Sequence, residues 1–195
     1  MPRPPASPAA PPPRLRPTAV ARVRSWLVDW AVIGAWIAVL SAVGFLVRLA
    51  ADLPEQTTPT TRELLTADLL ITLVTVVPYV IYLSVTEAST WRATLGKRWA
   101  GLVVADEDGG VAGAGRVWLR NVVKAGPWQV AHLGVSRAIY EVQTPWAISL
   151  SGLAMVLAAA CAVPALTGGR GLHDRVAGTR VERRDRDAVP GTWPA

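Results

Sequence analysis

The chain has 195 residues, 51% of them apolar, a mean hydropathy of +0.32 and a formal net charge of +6. That length holds one compact domain with tails. A single cysteine, Cys161, excludes an internal disulfide, and with only His132 and His173 beside it no Cys/His metal centre can be assembled, so neither metal nor cofactor is expected. The basic residues flank apolar runs instead of forming a stripe, which fits contact with anionic lipid headgroups and argues against nucleic acid.

Residues 1–21 are a separate tail: eight prolines fall between positions 2 and 17, a composition that neither forms helix nor buries a core, and disorder is expected there. A secretory signal would need a short apolar core near the start, and here a long tail precedes a full-length span. Ser25 to Val47, fenced by Arg24 and Arg48, carries one charge, Asp29. As a helix its 23 residues reach about 34 Å, enough for a hydrocarbon core of about 30 Å. Asp29 lies five residues inside Arg24, about 7.5 Å deep, within reach of basic side chains snorkelling from Arg22, Lys97, Arg120 or Arg175. A second span runs from Leu64 to Thr86, and a last one from Pro145 to Leu166 inside a charge-free stretch between Glu141 and Arg170.

Orientation follows from the loops. Five basic residues precede the first span, the loop from Ala50 to Glu63 is acidic on balance, and the segment from Ala88 to Lys124 and the C-terminal tail are both basic. The positive-inside rule then puts both termini and the Trp91–Arg116 loop in the cytoplasm, which requires an even number of crossings. Val117 to Tyr140 would supply the fourth. Its Asn121, Lys124, Gln129, His132 and Arg137 make it a poor lipid-facing helix, so it either crosses with its polar face against other helices or re-enters as a half-helix broken near Gly126-Pro127. The expected fold is therefore an all-α membrane protein, a small transmembrane bundle of four helices with the third polar or re-entrant. In the basic loop, the apolar run Leu102–Ala105 followed by Asp106-Glu107-Asp108-Gly109-Gly110 reads as a small strand or a short β-hairpin-like element. The acidic turn lacks the alternate-ligand spacing of a calcium loop, and Leu95-Gly96-Lys97 lacks the earlier glycine of a phosphate-binding loop.

Four local patterns occur in order: Arg22 seven residues before Asp29; Glu87 followed by Ala93-Thr94-Leu95-Gly96-Lys97-Arg98; Leu119-Arg120-Asn121; and Leu172-His173-Asp174-Arg175-Val176-Ala177-Gly178-Thr179. Together they resemble the RDD family of multi-pass membrane proteins over about residues 22–181, leaving 182–195 as a flexible tail. The resemblance puts the family's arginine on Arg22 and its aspartates on Asp29 and Asp174, with Thr94, Gly96 and Lys97 as a loop motif. Ser25 stands where such proteins often carry alanine. The resemblance also implies transport, including sodium/proton exchange, which has been attributed to some members.

Two functions are open on the residues themselves. Transport of an ion or small solute would use Gln129 and His132 near mid-depth, His132 as a proton relay. A membrane scaffold or interaction module would use Arg22, Asp29, Arg120 and Asp174 as a structural charge network. An enzyme is not expected, because no nucleophile is coupled to a general base. Self-association fits a thin four-helix bundle, and the plasma membrane is the expected location.

Overall fold

The computed structural model describes residues 16–51 and 58–184. The expectations for the proline-rich tail up to residue 15, and for the tail beyond residue 184, lie outside the described residues. Helix α1 spans Ala19–Ala50, capped by the Thr18 hydroxyl, which accepts from the Ala21 N–H. It starts three residues before the family-like segment was expected to begin. After the first loop, α2 (Thr61–Ile71) opens on a capping box: the Thr60 hydroxyl accepts from the Glu63 N–H while the Glu63 carboxylate accepts from the Thr60 N–H. A π-helical turn, Thr72–Val76, joins α2 to α3 (Val77–Ala88) as one rod. Helix α4 is a single turn and a half, Leu95–Trp99, and strand β1 is Leu102–Asp106. Helices α5 (Ala114–Ile139), α6 (Thr144–Leu166) and α7 (Leu172–Val176) follow, and β2 is Thr179–Arg183.

Among the described residues three helical rods are long and apolar enough to cross a membrane: α1, the α2–α3 rod and α6. Helix α5 is long enough at 26 residues, about 39 Å, but too polar to be counted by composition. The break considered near Gly126-Pro127 does not occur: α5 runs through both residues without interruption. Pro127 removes its own N–H from the helix ladder, and α6 and α3 pack alongside the continuous helix.

The β-hairpin expected in the basic loop is replaced by a longer-range pairing. Strand β1 forms where the apolar run predicted it, but its antiparallel partner is β2, with Leu102 opposite Arg183, Val104 opposite Val181 and Asp106 opposite Thr179. After the acidic turn, Val111-Ala112-Gly113 leads straight into α5 and offers too short a run to pair back. Thr179-Arg180-Val181-Glu182-Arg183 alternates instead, with Thr179 and Val181 buried against the bundle. The Asp106 carboxylate closes its own turn by accepting from the Asp108 and Gly110 N–H groups at 3.0 and 2.7 Å.

Most of α1 beyond Trp36 is exposed: Val39, Val43, Phe45 and Leu46 are all more than half uncovered, as side chains facing lipid would be. Aromatic belts sit at both ends. At the strand end the Arg24 guanidinium lies 5.0 Å over the Trp99 ring and Arg98 lies 3.9 Å over Trp91, while Trp146 is exposed at the far end.

Candidate functional site: a charged cluster and a polar seam

Arg22, Ser25 and Asp29 are the buried residues of α1, spaced by three and four so that they share one face. That face packs on α4. The Asp29 carboxylate accepts three hydrogen bonds, from the Thr94 hydroxyl (2.7 Å), the Gly96 N–H (3.0 Å) and the Tyr82 hydroxyl (3.0 Å). The snorkelling base expected beside Asp29 is absent among the described residues; neutral donors at the first turn of α4 satisfy the charge instead. Thr94 also caps α4 by accepting from the Lys97 N–H. Gly96 is glycine for space: a Cβ there would stand 2.1 Å from the Ser25 carbonyl oxygen.

The centre of the cluster is Glu87. Its carboxylate accepts from Lys97 Nζ at 2.7 Å on one oxygen, and from Arg120 Nη1 at 2.6 Å and Asn121 Nδ2 at 3.0 Å on the other. Arg120 then donates through Nε to Asp174 at 2.8 Å, and the Thr179 hydroxyl donates to the same Asp174 oxygen at 3.0 Å. One chain of charges thus ties together α3, α4, α5, α7 and β2. All of these side chains are almost completely buried, so each ion depends on its partner. Of the residues singled out from sequence, Arg120 and Asp174 are joined directly, Lys97 enters through Glu87, and Thr94 and Gly96 hold Asp29. The Arg22 guanidinium is buried nearby with its Nε unpartnered. Glu87 and Asn121 stand in the local patterns without a role assigned to them there, and Tyr82 stands in none.

A second polar layer lies at the far end. Asp68 accepts from Arg137 Nη1 at 2.9 Å and from the Ser136 hydroxyl at 2.8 Å. Between the two layers, α5 and the α2–α3 rod are linked by polar contacts: the Gln129 amide donates to Thr72 Oγ1 at 2.9 Å, and His132 Nε2 accepts from Trp128 Nε1 at 2.6 Å with Thr75 Oγ1 3.4 Å away. The π-helical turn falls at these threonines, whose hydroxyls donate back to the Asp68 and Ile71 carbonyls, and it leaves the Val74 carbonyl to accept from the Trp36 indole of α1. From Asp68 to Glu87 the rod advances nineteen residues, about 28 Å, with polar contacts to α5 at Asp68, Thr72 and Thr75 and again at Glu87, and with the buried Val76 and Leu83 between them.

Beside the seam, α1, α5 and α6 enclose a cleft of about 750 Å³. Its walls are apolar, with Ile33, Ile37, Val135, Ala154 and Ala158 among them, and its strand-end floor carries Asp29, Lys124 and His173.

The RDD family model matches residues 16–178. The chain belongs to the RDD family. No curated protein and no solved structure matches it. With its three apolar rods, this RDD protein is a membrane protein.

The strand end of the RDD domain is sensitive to protons in a defined direction. Burial, and then the Arg120 guanidinium, push the His173 imidazole down to about 3 from 6.5. Burial alone would raise Asp174, but Arg120, His173 and the bonds from Arg120 and Thr179 outweigh it and hold this carboxyl below its usual 3.8. Between pH 6.5 and 3 the unfolded chain takes up a proton at residue 173 that the folded protein refuses, so stability is full above pH 6.5 and falls as the pH drops, by up to about 1 kcal/mol per pH unit. Asp174 adds its own loss below 3.8. Melting in detergent between pH 8 and 4 is expected to show the decline, and His173→Asn to flatten its upper part; a wild-type melting point that is level over that range would contradict it.

Proposed function

We propose that this RDD protein moves an ion or small solute across the plasma membrane by cation/proton exchange. In this reading α5 is the third of four crossings, and the strand end, with both termini, faces the cytoplasm. The observation that carries it is the polar seam. A purely structural network needs polar groups only where helices are pinned together, whereas here Gln129 and His132 meet Thr72 and Thr75 between two charged layers. The basic residues of the strand end, among them Arg24, Arg98, Arg116 and Arg175, support the orientation.

His132 is the proton-carrying group of the proposal. Because the Trp128 indole can only donate, His132 Nε2 is an acceptor and carries no proton in this arrangement. A proton arriving on Nε2 would oppose the Trp128 N–H and turn the indole away. Trp128 lies 6.1 Å from Tyr79, centroid to centroid, and lines the cleft, so a change of protonation in the seam would alter a cleft wall. That coupling is the step an exchanger requires.

A scaffold reading draws on a different observation: both oxygens of Glu87 and one of Asp174 are spent on internal partners, as in a network built to pin helices. The two diverge in liposomes. Purified protein reconstituted with a pH-sensitive dye is expected to show proton movement coupled to a sodium, potassium or organic-solute gradient. His132→Gln should abolish that flux while changing stability by less than about 1 kcal/mol, since one hydrogen-bonding group replaces another. Absence of flux in the wild type would favour the scaffold; flux surviving His132→Gln would remove the residue from the pathway.

A further inference from the structure

The cleft and the charged cluster meet at a surplus of positive charge. Around the cluster stand three carboxylates, Asp29, Glu87 and Asp174, and four basic side chains, Arg22, Lys97, Arg120 and Lys124. Lys97 and Arg120 are consumed by Glu87 and Asp174, and Asp29 is satisfied by neutral donors. Lys124 has no hydrogen bond or ion pair among the described residues, and Arg22 keeps an unpartnered Nε at 6% exposure. Both line a small cavity of about 20 Å³ that shares Trp26, Lys124 and His173 with the large cleft. Unpaired cations in a low-dielectric site call for an anion.

The shape above them specifies what the anion is attached to. From Lys124 the cleft follows α5 to Val135, and from Cys161 it follows α6 back to Ser151, about 15 Å along each helix. Apart from Ser151, its walls along this length are apolar. The rim residues Trp30 and Met155 are 66% and 74% exposed, so the cleft opens sideways, toward lipid. A volume of 750 Å³ is in the range of sites for single small molecules, about 300–1,000 Å³. The adjoining small cavity has room for little more than one water-sized group, enough for part of a head and not for a hydrated solute.

We propose that the cleft binds one single-chain anionic amphiphile taken from the membrane, its carboxylate held at Lys124 and Arg22 and its tail lying along α1, α5 and α6. The site shares Trp128 with the seam, and binding there does not depend on transport. Gly34 supplies a means to close it: it lines the cleft, and a Cβ there meets nothing within 4 Å.

The test uses the full chain in maltoside micelles, with a bromo-undecanoate probe read by quenching of the tryptophans and the bromo-undecanol of equal length as its neutral control. The acid is expected to bind about tenfold more tightly than the alcohol, the worth of one charge-assisted contact. Lys124→Gln should erase that preference and leave the alcohol unaffected, whereas Gly34→Phe, which touches no charged group, should weaken both probes together. Equal binding of acid and alcohol to the wild type would overturn the proposal, as would Gly34→Phe leaving both unchanged. Displacement of the acid by acetate or phosphate at matching concentration would also overturn it, pointing to a small-anion site. Should Lys124→Gln fail to fold, the acid-to-alcohol ratio in the wild type and the Gly34→Phe arm still decide.

Discussion

Arg120→Met is expected to lower the stability of the detergent-solubilised protein by about 3 to 5 kcal/mol, the cost of stranding buried charges. Arg120 is 1% exposed and is the only bridge between Glu87 and Asp174 among the described residues. Its loss would leave Glu87 with Lys97 and Asn121, and Asp174 with Thr179 and a histidine that burial keeps uncharged. Methionine fills much of the volume, so the deficit would be electrostatic and not a cavity. Arg120→Lys should fall between the two, because one ammonium cannot present the Nη1 and Nε donors that reach two carboxylates at once. Intrinsic tryptophan fluorescence during thermal or denaturant unfolding reads the change. The double variant Arg120→Met with Asp174→Asn should recover part of the loss, since Asp174 is the carboxylate left without a basic partner while Glu87 keeps Lys97; a double variant no more stable than Arg120→Met would show that charge is not the cause.

Gly96→Ala is expected to be nearly as damaging although it adds a single methyl group. The new Cβ would stand 2.1 Å from the Ser25 carbonyl oxygen and 2.8 Å from Asp29 Cγ, and the first of these is backbone that cannot turn aside. Helix α4 would have to lift from α1, losing the Gly96 N–H and Thr94 hydroxyl bonds to Asp29 and leaving the carboxylate with Tyr82 alone. Overpacking costs about 1–3 kcal/mol and an under-satisfied buried charge adds to it. The measurement is again unfolding in detergent, with Gly115→Ala as control, since a Cβ at that helical glycine meets nothing within 4 Å. If the two alanines behave alike, the close approach of α4 to α1 is not what makes glycine necessary.

The spans were legible because a bilayer imposes length: charge-free runs closed by charged residues mark α1, the α2–α3 rod and α6 within a few positions. The lone charge of Asp29 in the first half of α1 was legible too, but its partners were not, since Tyr82, Thr94 and Gly96 lie 53 to 67 positions away and are neutral. Glu87 illustrates the same limit. A carboxylate ending an apolar run ordinarily meets water, and only the packing of α4, α5 and α7 over it makes it the centre of a buried cluster. Strand β2 did carry a signal, the alternation from Thr179 to Arg183, but it merges into a basic tail and its partner is β1, two long helices earlier in the chain. The π-helical turn had no local mark beyond Thr72 and Thr75, whose hydroxyls suit many helical settings.

The pairing of β1 with β2 also dictates an order of events during synthesis. Strand β1 and the residues awaiting burial, Glu87 and Arg120, leave the ribosome before α6 exists, while Asp174, Thr179 and β2 emerge only after α6 is complete. Until then Arg120 has one of its two carboxylates and β1 has an open edge. A nascent chain therefore holds a half-neutralised charge cluster at the mouth of the bundle for as long as translation of α6 takes, and the arrival of ten residues, 174–183, closes cluster and strand edge together.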